Sequence, residues 1–411
     1  MKPASDGPLA GIRILALEQY GAGPFASMYL SDMGAEVIKI EPPAAEGRPG
    51  GDSSRQSGPH YLGPDDSQFF QTFNLGKKSV VLDIRSPDGR SAFERLVATA
   101  DVVLNNMRGD QPGRLGLDYS SLSAINPRVV CSHLSGYGRS GERATWPAYD
   151  YLLQAEAGYM HLTGEPDGPP ARMGLSMVDY MTGLTLAFAT AAALVGALKT
   201  GRGRDVDVTL YDVAMHQLSY PATWYLNEGV ETVRQSRSAH PSVVPCETYP
   251  TADGHIFLMC VLPKFWRALC TGIGLPELVD DPLFATPAAR RENRAALSVI
   301  LDERLSTRPT AEWIGMLGGT VPVAPVLTLK QALDNPLFAA GEGLQTLAGH
   351  PARDSLRVLS NPVRLDGERV AARLAPSLGS DTRAVLREVG LDDAAIDGLI
   401  AAGAAAGGGH A

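Results

Sequence analysis

One aspartate in the sequence precedes a long uncharged segment. Asp179 lies in RMGLSMVDYMTGLTLA, and residues 181–198 are an 18-residue run, rich in alanine, glycine and threonine, without a charge. The pattern alone favours a helix cap, because an aspartate just before a helix accepts hydrogen bonds from the first free amides. A chemical role is compatible with a cap, since a helix N-terminus keeps a carboxylate ionised and its amides can stabilise an oxyanion. Asp179 is therefore a candidate cap and a candidate nucleophile.

Two glycine-rich segments follow predicted strands and could approach a phosphate. Residues 21–24 (GAGP) come after the first apolar strand, with Pro24 at the start of a predicted helix, and Glu41 ends the next strand. An NAD-dependent oxidoreductase has this layout, in which glycines contact the pyrophosphate and the acid binds a ribose hydroxyl. However, Ala26 stands where the third glycine of that fingerprint belongs. Residues 136–141 (GYGRSG) complete the spacing, but no apolar-periodic helix follows them, which favours a structural loop.

The elements that would position these segments alternate between strand and helix patterns over the first 135 residues. Strands are predicted at 12–17, 37–40, 79–84, 102–104 and 129–133, with helices beginning near Pro24 and Pro87. Runs that are apolar on both faces indicate a parallel sheet covered by helices, hence an α/β fold. From about 220 to 321 the pattern changes to the strand-like 255–261 and short helical pieces, which indicates a second, smaller lobe. The last residues, 401–411 (AAGAAAGGGHA), are predicted to be disordered.

Composition narrows the class of protein. The 411 residues are 44% hydrophobic, enough for a large core, and the formal charge of −9 disfavours a nucleic-acid or anionic membrane surface. An anionic ligand would need a local basic pocket. The four cysteines form no CxxC pair and no Cys/His cluster with the spacing of a zinc site, so we expect reduced, buried thiols and no metal.

Targeting and membrane signals are weak. Residues 1–11 contain no apolar run of a signal or transit peptide, so a cytoplasmic location is expected. The uncharged run at 181–198 reaches the lower length limit of a membrane-spanning helix. Its small residues favour a buried helix of a soluble core, because such residues let helices approach closely.

Seven segments, in order along nearly the whole chain, carry a family resemblance. They are GIRILALEQYGAGPFASMYLSDMGAEVIKIEPP (11–43), FNLGKKSVVLDIRSPDGR (73–90), 106–115, NPRVVCSHLSGYG (126–138), AYDYLLQAEAG (148–158), KTGRGRDVDVTLYDVA (199–214) and VPVAPV (321–326). Together they resemble the class III CoA-transferase family, which includes formyl-CoA and carnitine CoA-transferases and the α-methylacyl-CoA racemases.

The resemblance implies a fold and an assembly. It implies a doubly wound, Rossmann-like large domain built from both chain ends (1–219 and 326–400), a small α+β domain inserted between them (220–325), and an interlocked homodimer. It also implies an enzyme whose substrates are an acyl-CoA and a free carboxylic acid, with coenzyme A as a substrate rather than a tightly bound cofactor.

The resemblance assigns the chemistry to Asp179, which matches the family's catalytic aspartate. Its carboxylate would attack the thioester to form a mixed anhydride and release the CoA thiolate, and an aspartyl-CoA thioester would follow. The racemase branch instead uses a His-Asp pair about thirty residues earlier and a glutamate in the small domain. Here that pair reads Tyr149-Asp150, and residues 260–264 carry no acid. A tyrosine is a poor general base at neutral pH, so transfer is favoured over racemisation.

The resemblance also implies the positions that contact coenzyme A. They are Gly21, Ala22, Leu82, Asp83, Ile84, Arg85, Asn106, Met107, Arg108, Arg114 and Tyr149. The three arginines could supply charge for the phosphates at or near C-terminal strand ends, although each by itself is typical of a solvated surface.

Two departures from the family pattern are visible. Pro42 replaces an arginine expected after the second strand, with Arg48 nearby in sequence. The glycine-rich loop that covers the aspartate in formyl-CoA transferase is not evident, and residues 237–245 (RSAHPSVVP) are expected in that region. His240 could bind a carboxylate there or be structural. The acyl donor and the acceptor remain open, with small or medium carboxylic acids expected, and a member that binds CoA esters without turnover is a further alternative.

Overall fold

A computed structural model describes residues 6–407. Up to residue 218 the elements are β1 (Arg13–Leu17), α1 (Ala22–Asp32), β2 (Glu36–Glu41), β3 (Tyr61–Gly63), β4 (Asp66–Ser67), α2 (Gln68–Asn74), β5 (Lys78–Leu82), α3 (Pro87–Val97), β6 (Val102–Asn105), α4 (Gln111–Arg114), α5 (Tyr119–Leu122), β7 (Val130–Ser135), α6 (Asp150–Glu156), α7 (Tyr159–Leu162), α8 (Met177–Thr200), β8 (Arg204–Thr209) and α9 (Leu210–His216). From residue 219 they are α10 (Ser219–Glu228), β9 (Cys246–Pro250), β10 (His255–Met259), α11 (Pro263–Ile273), α12 (Pro287–Glu292), α13 (Arg294–Leu305), α14 (Thr310–Leu317), β11 (Val323–Pro325), α15 (Leu329–Leu333), α16 (Pro336–Ala340), β12 (Leu344–His350), β13 (Arg353–Leu359), β14 (Arg364–Leu365), β15 (Glu368–Arg369), α17 (Thr382–Glu388), α18 (Asp393–Ala401) and β16 (Ala405–Ala406). Short 3₁₀ helices occur at Ser53–Gln56, Ser236–Ser238 and Pro276–Val279.

A large sheet organises the N-terminal part of the chain. Within residues 6–407 its strand order is β16-β5-β2-β1-β6-β7-β8, and all neighbours are parallel except β16 on β5. Ile14, Leu15 and Ala16 of the central strand are fully buried, as expected for a strand covered on both faces. The predicted α/β fold with a parallel sheet is confirmed. Because the chain runs from β1 to β2 on one side and later to β6 on the other, the order reverses beside β1, where open sheets form ligand crevices.

Helices cover both faces of this sheet. On one face α3, α17 and α18 contribute Phe93, Leu386 and Ile396 to a buried cluster with the strands. On the other face α1 and α8 pack together, and a Cβ added at Gly183 would lie 2.7 Å from the carbonyl oxygen of Ala22. The glycine, alanine and threonine content of α8 is thereby explained, because small side chains permit this close approach.

Helix α8 is buried on one face only. It is long and apolar enough to cross a membrane by length and composition, with a mean hydropathy of 1.8, a test that core helices of soluble proteins also pass. Leu186 and Leu194 pack inside, whereas the opposite face exposes Leu184, Phe188, Val195 and Leu198. The predicted buried helix is therefore correct for the face toward α1 and the sheet, while the other face is uncovered in the single chain.

The chain forms two compact units. The first comprises residues up to 157, 174–218 and those from 336 onward, and the second comprises 158–173 and 219–335. The predicted boundaries differ, since 158–173, Ser219 and 326–335 belong to the second unit. The antiparallel sheet β11-β10-β9 of the second unit packs with α11, α13 and α14 around Tyr249, Trp266 and Trp313. The four cysteines are free and buried, as predicted.

The C-terminal segment is ordered further than predicted. Helix α18 ends at Ala401, and β16 then pairs with β5, with Ala404 and Ala405 buried. The amide of Asp83 donates to the carbonyl oxygen of Ala404 over 2.8 Å. The prediction of disorder is wrong for residues 401–407, because small alanines fit against the edge strand and satisfy its backbone groups. Residues 408–411 lie outside the described part of the chain.

Candidate active site

A cavity of about 780 Å³ opens at the C-terminal ends of the parallel strands in the first unit. The ends of β1, β2, β5, β6 and β7 all contribute to its wall, as the position of the strand-order reversal predicts. Of the residues predicted for the site, Gly21, Ala22, Leu82, Asp83, Ile84, Arg85, Asn106, Met107, Arg108, Tyr149 and Asp179 line this cavity. Pro42 and Arg48 line it as well, whereas Arg114 does not.

Asp179 lies in the first turn of α8 and does not cap it. The N-cap is Ser176, so Asp179 is the third residue of the helix. Its backbone amide donates to Oδ2 of Asp150 over 3.0 Å, and Nε2 of Gln154 donates to Oδ1 of Asp150 over 2.7 Å. The cap hypothesis for Asp179 is therefore wrong, because the buried Asp150 at the start of α6 accepts this amide and leaves the Asp179 carboxylate on the cavity wall.

The electrostatic environment of Asp179 opposes its charge. Burial raises the pKa of Asp179 to about 7, and the negative charge of Asp150 adds to the rise. The expectation that the helix N-terminus keeps this carboxylate ionised is corrected, because desolvation and the neighbouring carboxylate outweigh the helix dipole. At neutral pH the group divides between its neutral and ionised forms, a property typical of carboxylates that act chemically.

A rigid turn joins β1 to α1 beside Asp179. The side chain of Asn106 accepts from the amide of Gln19 over 2.8 Å and donates to its carbonyl oxygen over 2.7 Å. Tyr20 has φ 69°, a conformation that non-glycine residues rarely adopt, and its amide donates to Oδ1 of Asp52 over 3.1 Å. The turn is held in place from two directions.

Buried ion pairs lie behind this turn. Lys39 Nζ is 2.8 Å from Asp52 Oδ2, and Lys77 Nζ is 2.7 Å from Glu18 Oε1, with all four side chains inaccessible to solvent. Burial would raise the pKa of Asp52, but the Lys39 ammonium lowers it below its usual range. Burial also lowers the pKa of Lys77 to about 8, against the opposing effect of Glu18. Because removal of one partner leaves a buried charge unpaired, this network fixes the floor of the cavity.

The structure argues against the alternative that residues 21–24 and Glu41 bind NAD, because Glu41 is not available to a ribose. Glu41 is 1% exposed, and its two carboxylate oxygens accept from Nε and Nη2 of Arg55 over 2.8 and 2.7 Å. Ser79 and the amide of Asp52 also donate to it. A carboxylate engaged in this way is not free to bind a ribose hydroxyl. The second glycine segment is the loop that was predicted, since no helix begins after it until Asp150.

Residues 9–382 match the family described as CoA-transferase family III. The chain belongs to this family. It is 35% identical over 344 residues to a succinate–glutarate CoA-transferase of Agrobacterium fabrum (strain C58 / ATCC 33970), covering 82% of this chain and 84% of the relative. It is 34% identical to a human succinyl-CoA:glutarate CoA-transferase, covering 98% and 92% of the two chains. The crystal structure of a CAIB/BAIF family protein from Brucella suis matches with a TM-score of 0.80 and 34% identity, over 93% of this chain and 99% of that one.

The three arginines that were predicted to contact coenzyme A in this family III member line two neighbouring cavities. Arg85 and Arg108 line the main cavity, where each pairs with an adjacent aspartate, at 3.0 Å to Asp83 and 2.5 Å to Asp110. Arg114 also pairs with Asp110, at 2.9 Å, and instead lines a smaller cavity with Arg85 and Arg90. Local basic side chains are thus available for an anionic ligand although the protein is acidic overall.

His240 and residues 237–245 belong to the second unit. The backbone amides of Ser242 and Val243 donate to Nδ1 of His240, each over 3.1 Å, and the Tyr220 hydroxyl lies 3.3 Å from Nε2. Burial, with Arg294, lowers the pKa of His240. These contacts give His240 a structural role within its unit, and carboxylate binding stays a prediction.

Sequence reasoning missed several residues of the wall and floor. Glu18, Tyr20 and Trp146 line the cavity, and the ammonium group of the buried Lys39 lies 3.7 Å from Oε1 of Glu18. Charged residues inside or at the ends of otherwise apolar strands were an available signal for Glu18 and Lys39, since buried charges are rare without a partner. No local sequence pattern predicts the positive φ of Tyr20.

Proposed function

We propose that this family III enzyme transfers coenzyme A from an acyl-CoA to a small or medium carboxylic acid, with Asp179 as the covalent nucleophile. The observation that carries the proposal is the Asp179 carboxylate on the wall of a cavity at the strand ends, with a pKa raised to about 7 by burial and by Asp150. Relatives named for succinate, glutarate, oxalate and mesaconate favour small acids, dicarboxylates among them.

Each proposed step exchanges one bond at a carbonyl carbon. A carboxylate oxygen of Asp179 attacks the thioester, the C–S bond breaks, and the CoA thiolate leaves behind a mixed anhydride. The thiolate then attacks the aspartyl carbonyl, which releases the donor acid and forms an aspartyl-CoA thioester. The acceptor carboxylate attacks this thioester, the C–S bond breaks, and the CoA thiolate leaves again, which forms a second mixed anhydride between Asp179 and the acceptor acid. The thiolate finally attacks the carbonyl of the acceptor acid, which gives the new acyl-CoA and restores the Asp179 carboxylate.

The main cavity would hold coenzyme A as a substrate. Its volume of about 780 Å³ is in the range of ligand sites, and Arg85 and Arg108 on its wall match the charge of the phosphates. Arg48 is the residue we assign to the phosphate contact that Pro42 cannot make. Arg114 would act from the adjoining smaller cavity. No tightly bound cofactor is needed for these steps.

We also propose an interlocked homodimer with a large domain built from both chain ends and an inserted small domain. The exposed apolar face of α8, with Leu184, Phe188, Val195 and Leu198, supports an interface, because single chains rarely leave such a patch uncovered. Light scattering of the purified protein tests this, and a monomeric mass would contradict it. We further propose a cytoplasmic protein. The charge of −9 supports the proposal that it binds neither nucleic acid nor an anionic membrane.

The proposed role of Asp179 as covalent nucleophile is tested by looking for a covalent adduct on it. Wild type is incubated with a panel of acyl-CoAs, quenched with or without hydroxylamine, and measured by intact-protein and peptide mass spectrometry. We expect a hydroxylamine-labile adduct on Asp179. Asp179→Ala should abolish adduct and CoA exchange while leaving CoA affinity and the oligomeric mass nearly intact. Asp88→Asn, an exposed first-turn aspartate of α3, is the matched control and should retain exchange. Exchange that survives in Asp179→Ala would show that another residue is the nucleophile.

A further inference from the structure

Gly21 faces the carboxylate of Asp179 with no side chain between them. A Cβ added at Gly21 would lie 2.7 Å from Oδ2 and 3.5 Å from Cγ of Asp179, and the three nearest atoms within 4 Å all belong to that aspartate. A carbon–oxygen contact of 2.7 Å is closer than side chains tolerate. The bare Cα therefore leaves open the space directly in front of the carboxylate.

A positive φ does not explain this glycine. Gly21 has φ −109° and ψ −83°, outside the left-handed region, whereas Gly138 has φ 99°, which favours glycine. Packing of the fold explains Gly23 and Gly183 instead, because a Cβ there would meet Asn106 and the carbonyl oxygen of Ala22, each at 2.7 Å. At Gly21 the three atoms nearest to the added one all belong to the proposed nucleophile.

The turn cannot easily retreat from Asp179 to make room for a side chain. Asn106 binds the backbone of Gln19 through two hydrogen bonds, and Asp52 holds the amide of Tyr20 in its positive-φ conformation. Asp52 is in turn paired with the buried Lys39. Strain that is held from several sides is characteristic of functional sites.

The missing side chain coincides with the shell that an acyl group must occupy. An acyl carbon bonded to Oδ2 lies about 1.4 Å from that oxygen, its carbonyl oxygen and the next carbon lie about 2.4 Å from it, and substituents on that next carbon lie about 3 to 3.7 Å from it. A Cβ of residue 21 at 2.7 Å from Oδ2 would therefore crowd any acyl group on that oxygen, and most of all one that is substituted at the next carbon. We propose that Gly21 is a specificity-determining residue, whose absent side chain provides the room for acyl groups that are substituted at the carbon next to the carbonyl. The inference rests on the proposed role of Asp179.

The test compares Gly21→Ala with wild type over donors of increasing bulk at that carbon: acetyl-, propionyl- and isobutyryl-CoA. The rate of the labile adduct on Asp179 is measured in a single turnover for each donor that wild type uses. We expect Gly21→Ala to slow the bulkiest accepted donor about tenfold more than the smallest, because the added methyl group crowds every acyl group on Asp179 and crowds the larger one most. Gly398→Ala in α18, where a Cβ meets nothing within 4 Å, is the matched control and should leave the ratio between donors unchanged.

The outcomes separate the two proposals. An equal loss for every donor, or no loss, with Gly21→Ala would overturn the specificity role, and thermal unfolding midpoints of both glycine variants identify a general folding defect. If wild type forms no adduct on Asp179 with any acyl-CoA of the wider panel, succinyl- and glutaryl-CoA included, the proposed function itself fails. A ratio between donors that changes only in Gly21→Ala supports the inference.

Discussion

Replacing Asp179 by asparagine should stabilise the folded chain above pH 7. An aspartate in the unfolded chain has a pKa of about 3.9, whereas burial and Asp150 raise the pKa of Asp179 to about 7. Above pH 7 the folded state must hold a charge that its surroundings disfavour. The difference is roughly three pH units at 1.36 kcal/mol each, so the ionised carboxylate costs about 4 kcal/mol of folding free energy.

The dependence on pH gives this prediction its sign. Below about pH 3 the aspartate is protonated in both states, and the free energy of unfolding carries no penalty from it. As the pH rises from about 4 to 7, the unfolded state ionises while the folded state keeps its proton, so stability is progressively lost. The advantage of Asp179→Asn over wild type should therefore be about 1.5 kcal/mol at pH 5 and about 4 kcal/mol at pH 8.

The measurement is urea unfolding at pH 5 and pH 8 of wild type and Asp179→Asn, with equal m values as the check that the transitions are comparable. Asp88→Asn is the control for loss of an exposed aspartate from a first helical turn. The reasoning is refuted if Asp179→Asn is no more stable than wild type at pH 8, or if its advantage does not grow between the two pH values.

Two further predictions concern the pH profile and the C-terminal strand. Because the ionised form of Asp179 attacks, acylation should rise with pH to half its maximum near pH 7 and fall roughly a hundredfold between pH 8 and pH 5. Asp150→Asn, which removes the neighbouring charge, should move the profile to lower pH; quenched-flow rates measure both, and a flat or unmoved profile contradicts the assignment. Deletion of residues 404–411 should lower the thermal midpoint and speed hydrogen exchange at the amide of Asp83, whose acceptor is lost; unchanged protection would show that β16 does not pair with β5 in solution.

Local sequence pattern determined five of the seven strands that the described residues contribute to the large sheet, and it missed β8 and β16. The bounds of β1, β2, β5, β6 and β7 differ from the predicted ones by at most two residues, because a strand covered on both faces must be a continuous apolar run. The order of motifs likewise indicated the family and, through it, Asp179 and ten of the eleven predicted coenzyme A positions that line the cavity, whereas Arg114 does not line it. The C-terminal segment shows the limit of this reasoning. Its alanines and glycines carry no periodic signal, and β16 forms only because it can pair with the edge of β5.

The surroundings of Asp179 were decided by tertiary structure alone. Its amide donates a hydrogen bond to Asp150, 29 residues away along the chain, because the starts of α6 and α8 lie close together. The same closeness, with burial, turns an ordinary carboxylate into one with a pKa of about 7. The absence of a side chain at Gly21 matters only because the fold places the Asp179 carboxylate of α8 directly opposite it. A sequence specifies residue types and local periodicity, but desolvation and charge proximity depend on distances that only the folded chain sets.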